Sequence, residues 1–515
     1  MLTAGFASIR FSRSGFRLQT RGIQNMINYI STRDSSVKVS SSRAILSGQA
    51  PDGGLYIPDD LSAIAADYHE IISNDFRGMA KAVWNLFFDD YGPEQISDLV
   101  EKSYAGKFSS PDITPLVKVC DDYILELYHG PTSAFKDVAL SALPNLLTAA
   151  RKMNDFTDKI LILTATSGDT GSAALAGFSD VPGTSIIVFY PDGGVSETQK
   201  LQMVTAPGSN TSACAVRGNF DDAQSGVKRM FREIPHPIPG VSLSSANSIN
   251  IGRLVPQVVY YFSAYRQLLD KGAIADGDLV DFVVPTGNFG DIMAGFYAMK
   301  IGLPVGRLIC ASNRNDVLTE FLQTGHYDRK RTFFKTTSPS MDILISSNLE
   351  RLLYYICGES NTVKYMKQLA EEGEYQISAE ELAAMQSIFT GICADDDDGA
   401  AAISSVFGSE HYLMDTHTSI AWSCLGKYRA SGKAAEGRPA VVLSTASPYK
   451  FSRAVLTAIG AEVSESDQEN MNRCREITGA PVPAGLAGIF SREIKHTDII
   501  DIEEMKSYII EKANN

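Results

Sequence analysis

Three stretches of this sequence combine glycine-rich turns with residue types able to bind an anion or act as a nucleophile. In the first, the apolar run Val280–Pro285 leads into Thr286-Gly287-Asn288-Phe289-Gly290-Asp291, and an apolar-periodic segment over residues 292–300 follows. Strand, glycine turn and helix start in that order expose unpaired amides at a helix N-terminus, where a phosphate monoester is a natural occupant. Many α/β turns carry glycine without binding anything, so this loop alone leaves both readings open. The second stretch has the same construction: residues 160–165 are apolar, Thr166-Ser167-Gly168-Asp169-Thr170-Gly171-Ser172 follows, and an Ala-rich helix begins near Ala173. Two such turns at strand ends suit one ligand with two anionic groups, or two ligands side by side, at the carboxyl edge of a sheet. The third stretch, Glu126-Leu-Tyr-His-Gly-Pro-Thr-Ser-Ala-Phe-Lys136-Asp137, places one lysine after a Gly-Pro turn beside Phe135. By composition alone that lysine reads as a surface ion pair.

These loops need a scaffold, and the patterning supplies one. A chain of 515 residues is several times the usual domain size, so two or three domains with shared interfaces are expected. Between residues 59 and 107 apolar residues recur at helical spacing, as in Ile71, Met79, Val83, Leu86 and Phe87, which predicts a helical N-terminal domain. From about Leu116 short apolar runs end in Gly, Ser or Thr clusters and open into helical periodicity, the signature of an α/β fold with a largely parallel sheet.

Composition excludes several classes. Hydrophobic residues make up 44% and charged residues 21%, ordinary globular usage, and no run of about eighteen apolar residues offers a membrane span. A formal charge of -14 argues against a nucleic-acid or anionic-lipid partner, so an anionic substrate requires a local basic or amide-lined pocket. The seven cysteines form no CxxC pair and no metal-ligand spacing, which fits a reducing compartment and no metal site. The four-Asp run closed by Gly399 lacks the spaced ligands of a calcium loop and reads as a solvated loop or helix start. Residues 1–33 hold five Arg and no acidic residue, the composition of an organellar transit peptide. The other reading is a start placed too far upstream, with the folded sequence opening at Met26. Location is accordingly read as cytoplasmic, or organellar if residues 1–25 are a genuine presequence.

Taken together, five segments resemble the threonine synthase family of fold type II pyridoxal-phosphate enzymes, in order and over nearly the whole chain. They are Tyr29-Ile-Ser-Thr-Arg33 with Ala50-Pro-Asp-Gly-Gly-Leu-Tyr-Ile-Pro58, His129-Gly-Pro-Thr-Ser-Ala-Phe-Lys-Asp137, Thr164-Ala-Thr-Ser-Gly-Asp-Thr-Gly171, Gly287-Asn-Phe-Gly-Asp291 and Thr445-Ala-Ser-Pro-Tyr-Lys-Phe451. The resemblance implies a tryptophan synthase β-like α/β fold with parallel-sheet large and small domains and a helical N-terminal domain. The expected division is residues 1–25 as an extension or presequence, 26–105 as the N-terminal domain, 106–150 with 265–515 as the large domain, and 151–264 as the small domain.

The same resemblance implies pyridoxal 5'-phosphate as cofactor and O-phospho-L-homoserine as substrate, converted with water to threonine and phosphate. Lys136 falls on the cofactor-anchoring position, flanked by Phe135. Gly287, Asn288, Phe289, Gly290 and Asp291 match the cofactor-phosphate cradle, and Thr445 matches the hydroxyl facing the pyridine nitrogen. Thr166, Ser167 and Thr170 match the loop that meets the substrate carboxylate, and Asp169 lies at the cofactor's phenolic edge. The superfamily often has Asn at that place, so no amide's donor role transfers to Asp169. Ser245, Asn247, Asn250 and Arg253 are candidate donors to the departing phosphate, with a helix-start ion pair as the other reading of Arg253. His129 and His417 are read either as pocket residues or as hydrogen-bonded structural groups. A monomer or homodimer is expected. Rival readings are a phospho-lyase releasing 2-oxobutyrate, a serine or threonine dehydratase, and a catalytically silent ligand-binding homologue.

Overall fold

The architecture is carried by two sheets, seen in a computed structural model that describes residues 26–514; the expectations for residues 1–25 lie outside it. The larger sheet has six strands in the spatial order Phe389–Cys393, Val305–Ser312, Val280–Pro285, Ala440–Ser444, Asp122–Glu126 and Leu116–Val119. All neighbours pair in parallel except the last two, which form an antiparallel edge. The smaller sheet is wholly parallel, in the order Ile499–Ile500, Thr211–Val216, Thr184–Pro191, Lys159–Ala165 and Val241–Ser244.

Both sheets are covered on both faces, which is why their strands are continuous apolar runs rather than alternating ones. In the larger sheet Leu125, Phe282, Val284, Leu308 and Leu443 face one core, while Ile124, Val283, Ile309 and Val442 face another. In the smaller sheet Ile160, Ile162, Ile186 and Val188 turn inward, and Leu161, Leu163, Ile187 and Phe189 pack beneath the helix Phe220–Glu233. Period-two alternation thus sends each strand's side chains into separate cores.

The N-terminal region is mainly helical. Helix Phe76–Phe87 starts at Asp75, whose side chain accepts from the amide of Gly78, and buries Phe76, Met79, Ala80, Val83, Trp84 and Phe87, a stripe at helical spacing. The two short strands Tyr29–Ser31 and Tyr56–Pro58 pair antiparallel and anchor the region to the large layer. Fully buried Arg351 donates to the carbonyls of Tyr56 (3.1 Å) and Ile249 (2.6 Å), and Glu350 accepts from Arg33 at two positions (both 2.8 Å) and from Thr32 (2.6 Å). The acidic run becomes a helix start: Asp395 caps Asp396–Glu410 through a reciprocal bond with Asp398.

Two features cross the division expected from sequence. Helix Ile251–Asp270 runs through the 264/265 boundary and is buried along most of its length against the N-terminal helices and the large layer. The chain's end, expected in the large domain, instead joins the smaller sheet. Ile499–Ile500 extends that sheet, and Met505, Tyr508, Ile509 and Ala513 complete its outer core. A two-residue strand carries no periodicity, so nothing local signals this return.

Candidate active site

Lys136 opens the short helix Lys136–Leu140, and the turn before it is stitched to the chain that leaves the central strand Ala440–Ser444. The amide of Phe135 donates to Thr445 O (2.8 Å), that of Ser447 to Ser133 O (3.1 Å), and that of Leu127 to Ser444 O (2.9 Å). Asp137 closes the turn by accepting from Thr132 N (2.8 Å) and Thr132 Oγ1 (2.6 Å). The amine of Lys136 lies 4.6 Å from the Phe135 ring centroid, 3.8 Å from Asp169 Oδ2 and 3.5 Å from Ser340 Oγ. Burial pushes this amine down to about 8; Asp169 opposes the shift, while Arg253 and Lys450 add to it. A lysine in that range offers a neutral amine at mildly alkaline pH.

Asp169 begins the helix Asp169–Phe178 at the end of the second glycine loop. Thr166 Oγ1 shapes the loop by accepting from Gly168 N (2.9 Å) and Gly171 N (3.0 Å). Burial alone would raise the Asp169 carboxyl, but Lys450 and then Lys136, with a bond from Gln199, hold it well below the usual carboxylate range. Lys450 Nζ is 2.6 Å from Asp169 Oδ1, and Gln199 Nε2 donates to the same oxygen at 3.0 Å. Ser340 arrives on the turn Pro339–Met341: its amide donates to His417 Nε2 (3.1 Å), and His417 Nδ1 lies 2.8 Å from Asp415 Oδ2. Those bonds place the imidazole proton on Nδ1, because Nε2 must accept.

The first glycine loop differs. Phe289 takes a left-handed conformation (φ 58) immediately before the helix Gly290–Ile301. The amides of Gly287, Asn288 and Phe289 find no acceptor among the described residues. Ser346 Oγ and Asn348 bond the carbonyls of Gly287 and Asn288 (both 2.9 Å), so the loop's oxygens are tied back. Asp291 is held by Tyr260 and Tyr261 through Oδ1, while its buried Oδ2 has no partner. Burial pushes its carboxyl up to about 6, against the tyrosine hydrogen bonds and Lys136.

Lys136, both loops, Arg253 and Thr445 line one cavity of about 980 Å³. Arg253 is buried in the first turn of Ile251–Asp270; its Nη1 donates to Ala246 O (2.6 Å), and no carboxylate lies within ion-pair distance among the described residues. Burial alone pushes it down to about 10.

The site's sequence context decides the relationship. Residues 28–104 match the model for the threonine synthase N terminus, 114–446 that for pyridoxal-phosphate dependent enzymes, and 418–509 that for the threonine synthase C-terminal region. Threonine synthase of Saccharomyces cerevisiae is 34% identical over 515 residues, covering 94% of this chain and 98% of that protein. The chain belongs to the threonine synthase family of pyridoxal-phosphate-dependent enzymes. A solved threonine synthase from Brucella melitensis, with the cofactor bound, superimposes with a TM-score of 0.83 at 36% identity, covering 95% of this chain and all (100%) of that one. The human protein named threonine synthase-like 1 is 35% identical over 86% of this chain, and the chain spans 62% of that protein's length.

The cavity's residues fit the threonine synthase cofactor. It presents a buried amine for a carbonyl, bare amides at a helix start for a phosphate, and a hydroxyl residue, Thr445, on the same wall. Gly287 allows no side chain, since a Cβ there would lie 2.6 Å from Ser340 O.

Of the residues expected from sequence, Phe135, Lys136, Thr166, Ser167, Thr170, Ser245, Asn247, Arg253, residues 287–291 and Thr445 all border the cavity. Three expectations change. Asn250 is not on the wall: it is buried, its Oδ1 accepts from Gly252 N (2.9 Å) as the helix cap, and its Nδ2 donates to Ile45 O (2.9 Å), so both ends of the amide are engaged in the fold. The ion-pair reading of Arg253 also falls, because no acid stands beside it among the described residues, and its bond goes to the Ala246 carbonyl. Asp169 lies behind Lys136 rather than on the wall. Sequence reasoning missed Lys450 and Ser340. Lys450 stood inside a quoted motif, which was the one signal that could have found it; Ser340 lies in a stretch without any motif.

Proposed function

We propose that the chain converts O-phospho-L-homoserine and water to L-threonine and phosphate, with Lys136 as its catalytic amine. The observation that carries this reading is Arg253: a buried guanidinium with no carboxylate, on the same cavity as Lys136, requires an anion from outside. A phosphate ester answers that need. Ser245 and Asn247, across the same wall, add donors as negative charge gathers on the leaving group.

Pyridoxal phosphate, when bound, supplies an electron sink for the bonding electrons of the substrate's Cα–H bond. The amides of Gly287, Asn288, Phe289 and Gly290 would hold its phosphate, with Asp291 behind them, and Lys136 its carbonyl carbon. Thr445 would face its ring nitrogen, and a hydroxyl favours ring protonation less than a carboxylate does. Thr166, Ser167 and Thr170 orient the substrate carboxylate at the other loop. Lys136, freed by the substrate's amine, takes the proton from Cα and returns one further along the chain. Phe135 shields that amine from water on one side.

A phospho-lyase releasing 2-oxobutyrate with phosphate is the second reading, because the chain is as similar to a protein named only threonine synthase-like 1 (35%) as to Saccharomyces threonine synthase (34%). Purified protein incubated with pyridoxal phosphate and O-phospho-L-homoserine is expected to yield threonine and phosphate in equal amounts. Phosphate with 2-oxobutyrate and no threonine would select the phospho-lyase, and no phosphate at all would reject both. Arg253→Met is expected to lower kcat/KM about 100-fold while the yellow chromophore at Lys136 still forms.

A further inference from the structure

Two lysines share one buried carboxylate, and they do so unequally. Asp169 Oδ1 is occupied by Lys450 Nζ at 2.6 Å and by Gln199 at 3.0 Å, whereas Oδ2 faces Lys136 at 3.8 Å and Ser340 Oγ at 3.5 Å. The side chain of Lys450 is completely enclosed, and its remaining contact is the carbonyl of Thr132 at 3.1 Å. It does not border the cavity, so it touches neither substrate nor cofactor there.

We propose that Lys450 is a positioning residue for the Lys136 amine: by occupying one oxygen of Asp169 with a cation, it keeps that carboxylate from locking Lys136 into an ion pair. The amine is then free to lose its proton and attack a carbonyl. This inference rests on the reading of Lys136 as the reactive amine.

The physical reason is charge balance in a buried place. Were Asp169 paired with Lys136 alone, neutralising the amine would leave a buried anion uncompensated, and the ammonium form would be favoured. With Lys450 in place, the Asp169–Lys450 couple is close to neutral as seen from Lys136, and loss of a proton there abandons no charge. The same couple keeps Asp169 ionised while Lys136 is engaged elsewhere. The other charges near the amine do not substitute for Lys450. Asp137 is consumed by the Thr132 turn, Asp291 is held by Tyr260 and Tyr261, and Arg253, whose charge also disfavours the ammonium form, bonds the Ala246 carbonyl rather than Asp169 and so leaves that carboxylate unbalanced. His417 reaches Ser340 only through the backbone amide.

The test reads the amine directly. The full-length chain, freed of cofactor, is labelled with acetic anhydride from pH 6 to 11, and acetylation of Lys136 is followed by peptide mass spectrometry. In Lys450→Met the labelling midpoint is expected to rise by about one pH unit, roughly tenfold less neutral amine at neutral pH. Lys450→Arg should keep the wild-type midpoint, and adding Asp169→Asn to Lys450→Met should bring it back to or below wild type. If Lys450→Met does not fold, Lys450→Gln, which retains a donor without the charge, carries the same expectation. An unmoved midpoint in the folded neutral variant overturns the proposal, even if threonine is produced. A shifted midpoint in a protein that releases no phosphate supports it and sinks the functional reading alone.

Discussion

Asp169 and Asp291 occupy matching places in loops of the same construction, each in the first turn of the helix that follows a glycine-rich strand end, and both are buried. Their chemistry is opposite. Asp169 is held ionised by a lysine on each oxygen, whereas Asp291 receives two phenols on one oxygen, none on the other, and is pushed up to about 6. The loops divide in the same way: Thr166 consumes the amides of Gly168 and Gly171, while those of Gly287, Asn288 and Phe289 stay bare. Identical local grammar therefore builds an electrostatic support for a lysine in one case and a row of free amides in the other. What differs is the company each loop keeps.

Asp169→Asn is the strongest challenge to this contrast, since it strands Lys450 in the interior. It is expected to cost about 3 to 5 kcal/mol in denaturant unfolding at pH 7. Because the carboxyl is depressed in the fold, its stabilisation is complete above the unfolded value near 4 and fades as pH falls towards the folded one. The deficit of the variant should therefore shrink in acid, and a deficit below 1 kcal/mol at pH 7 would break the comparison.

Gly287→Ala tests the other loop, where a Cβ meets backbone at 2.6 Å. Moving either backbone costs about 1 to 3 kcal/mol, so pyridoxal phosphate should bind roughly 10- to 100-fold more weakly in a fluorescence titration. Unchanged affinity would mean that the bare amides do not hold the cofactor.

Asp291→Asn sharpens the contrast through its sign. A carboxyl raised to about 6 contributes stability below the unfolded value near 4, and this is lost as pH rises through 6. Relative to wild type, the amide variant should gain about 1 to 3 kcal/mol between pH 4 and pH 7.5. A parallel pH profile for the two proteins would refute the raised carboxyl.

The smallest effect belongs to Asn250→Ala, which removes a helix cap and should cost about 1 kcal/mol in unfolding while leaving the KM for phosphohomoserine unchanged. A selective rise in KM would return Asn250 to the substrate.

Much of the scaffold was legible in the chain because its signals are local. Period-two burial, the helical stripe of residues 76–87 and the glycine turns at strand ends each depend on neighbours a few residues apart. Asn250 misled for a related reason: Asn before an apolar helix is a cap by the same local rule, yet its place among Ser245, Asn247 and Arg253 drew it into the ligand set. The return of Ile499–Ile500 to the smaller sheet was invisible, since two residues carry no period.

By itself the sequence determined an α/β scaffold with two glycine loops, the lysine at the end of a Gly-Pro turn, and the family to which these belong. Tertiary structure alone decided which charges meet: Lys450 and Lys136 on the two oxygens of Asp169, Ser340 between His417 and the amine, and Arg253 left without an acid among the described residues. Helix starts and strand periods follow from bonds between near neighbours. A buried charge acquires its meaning only from groups that folding brings within a few ångströms after water has been removed.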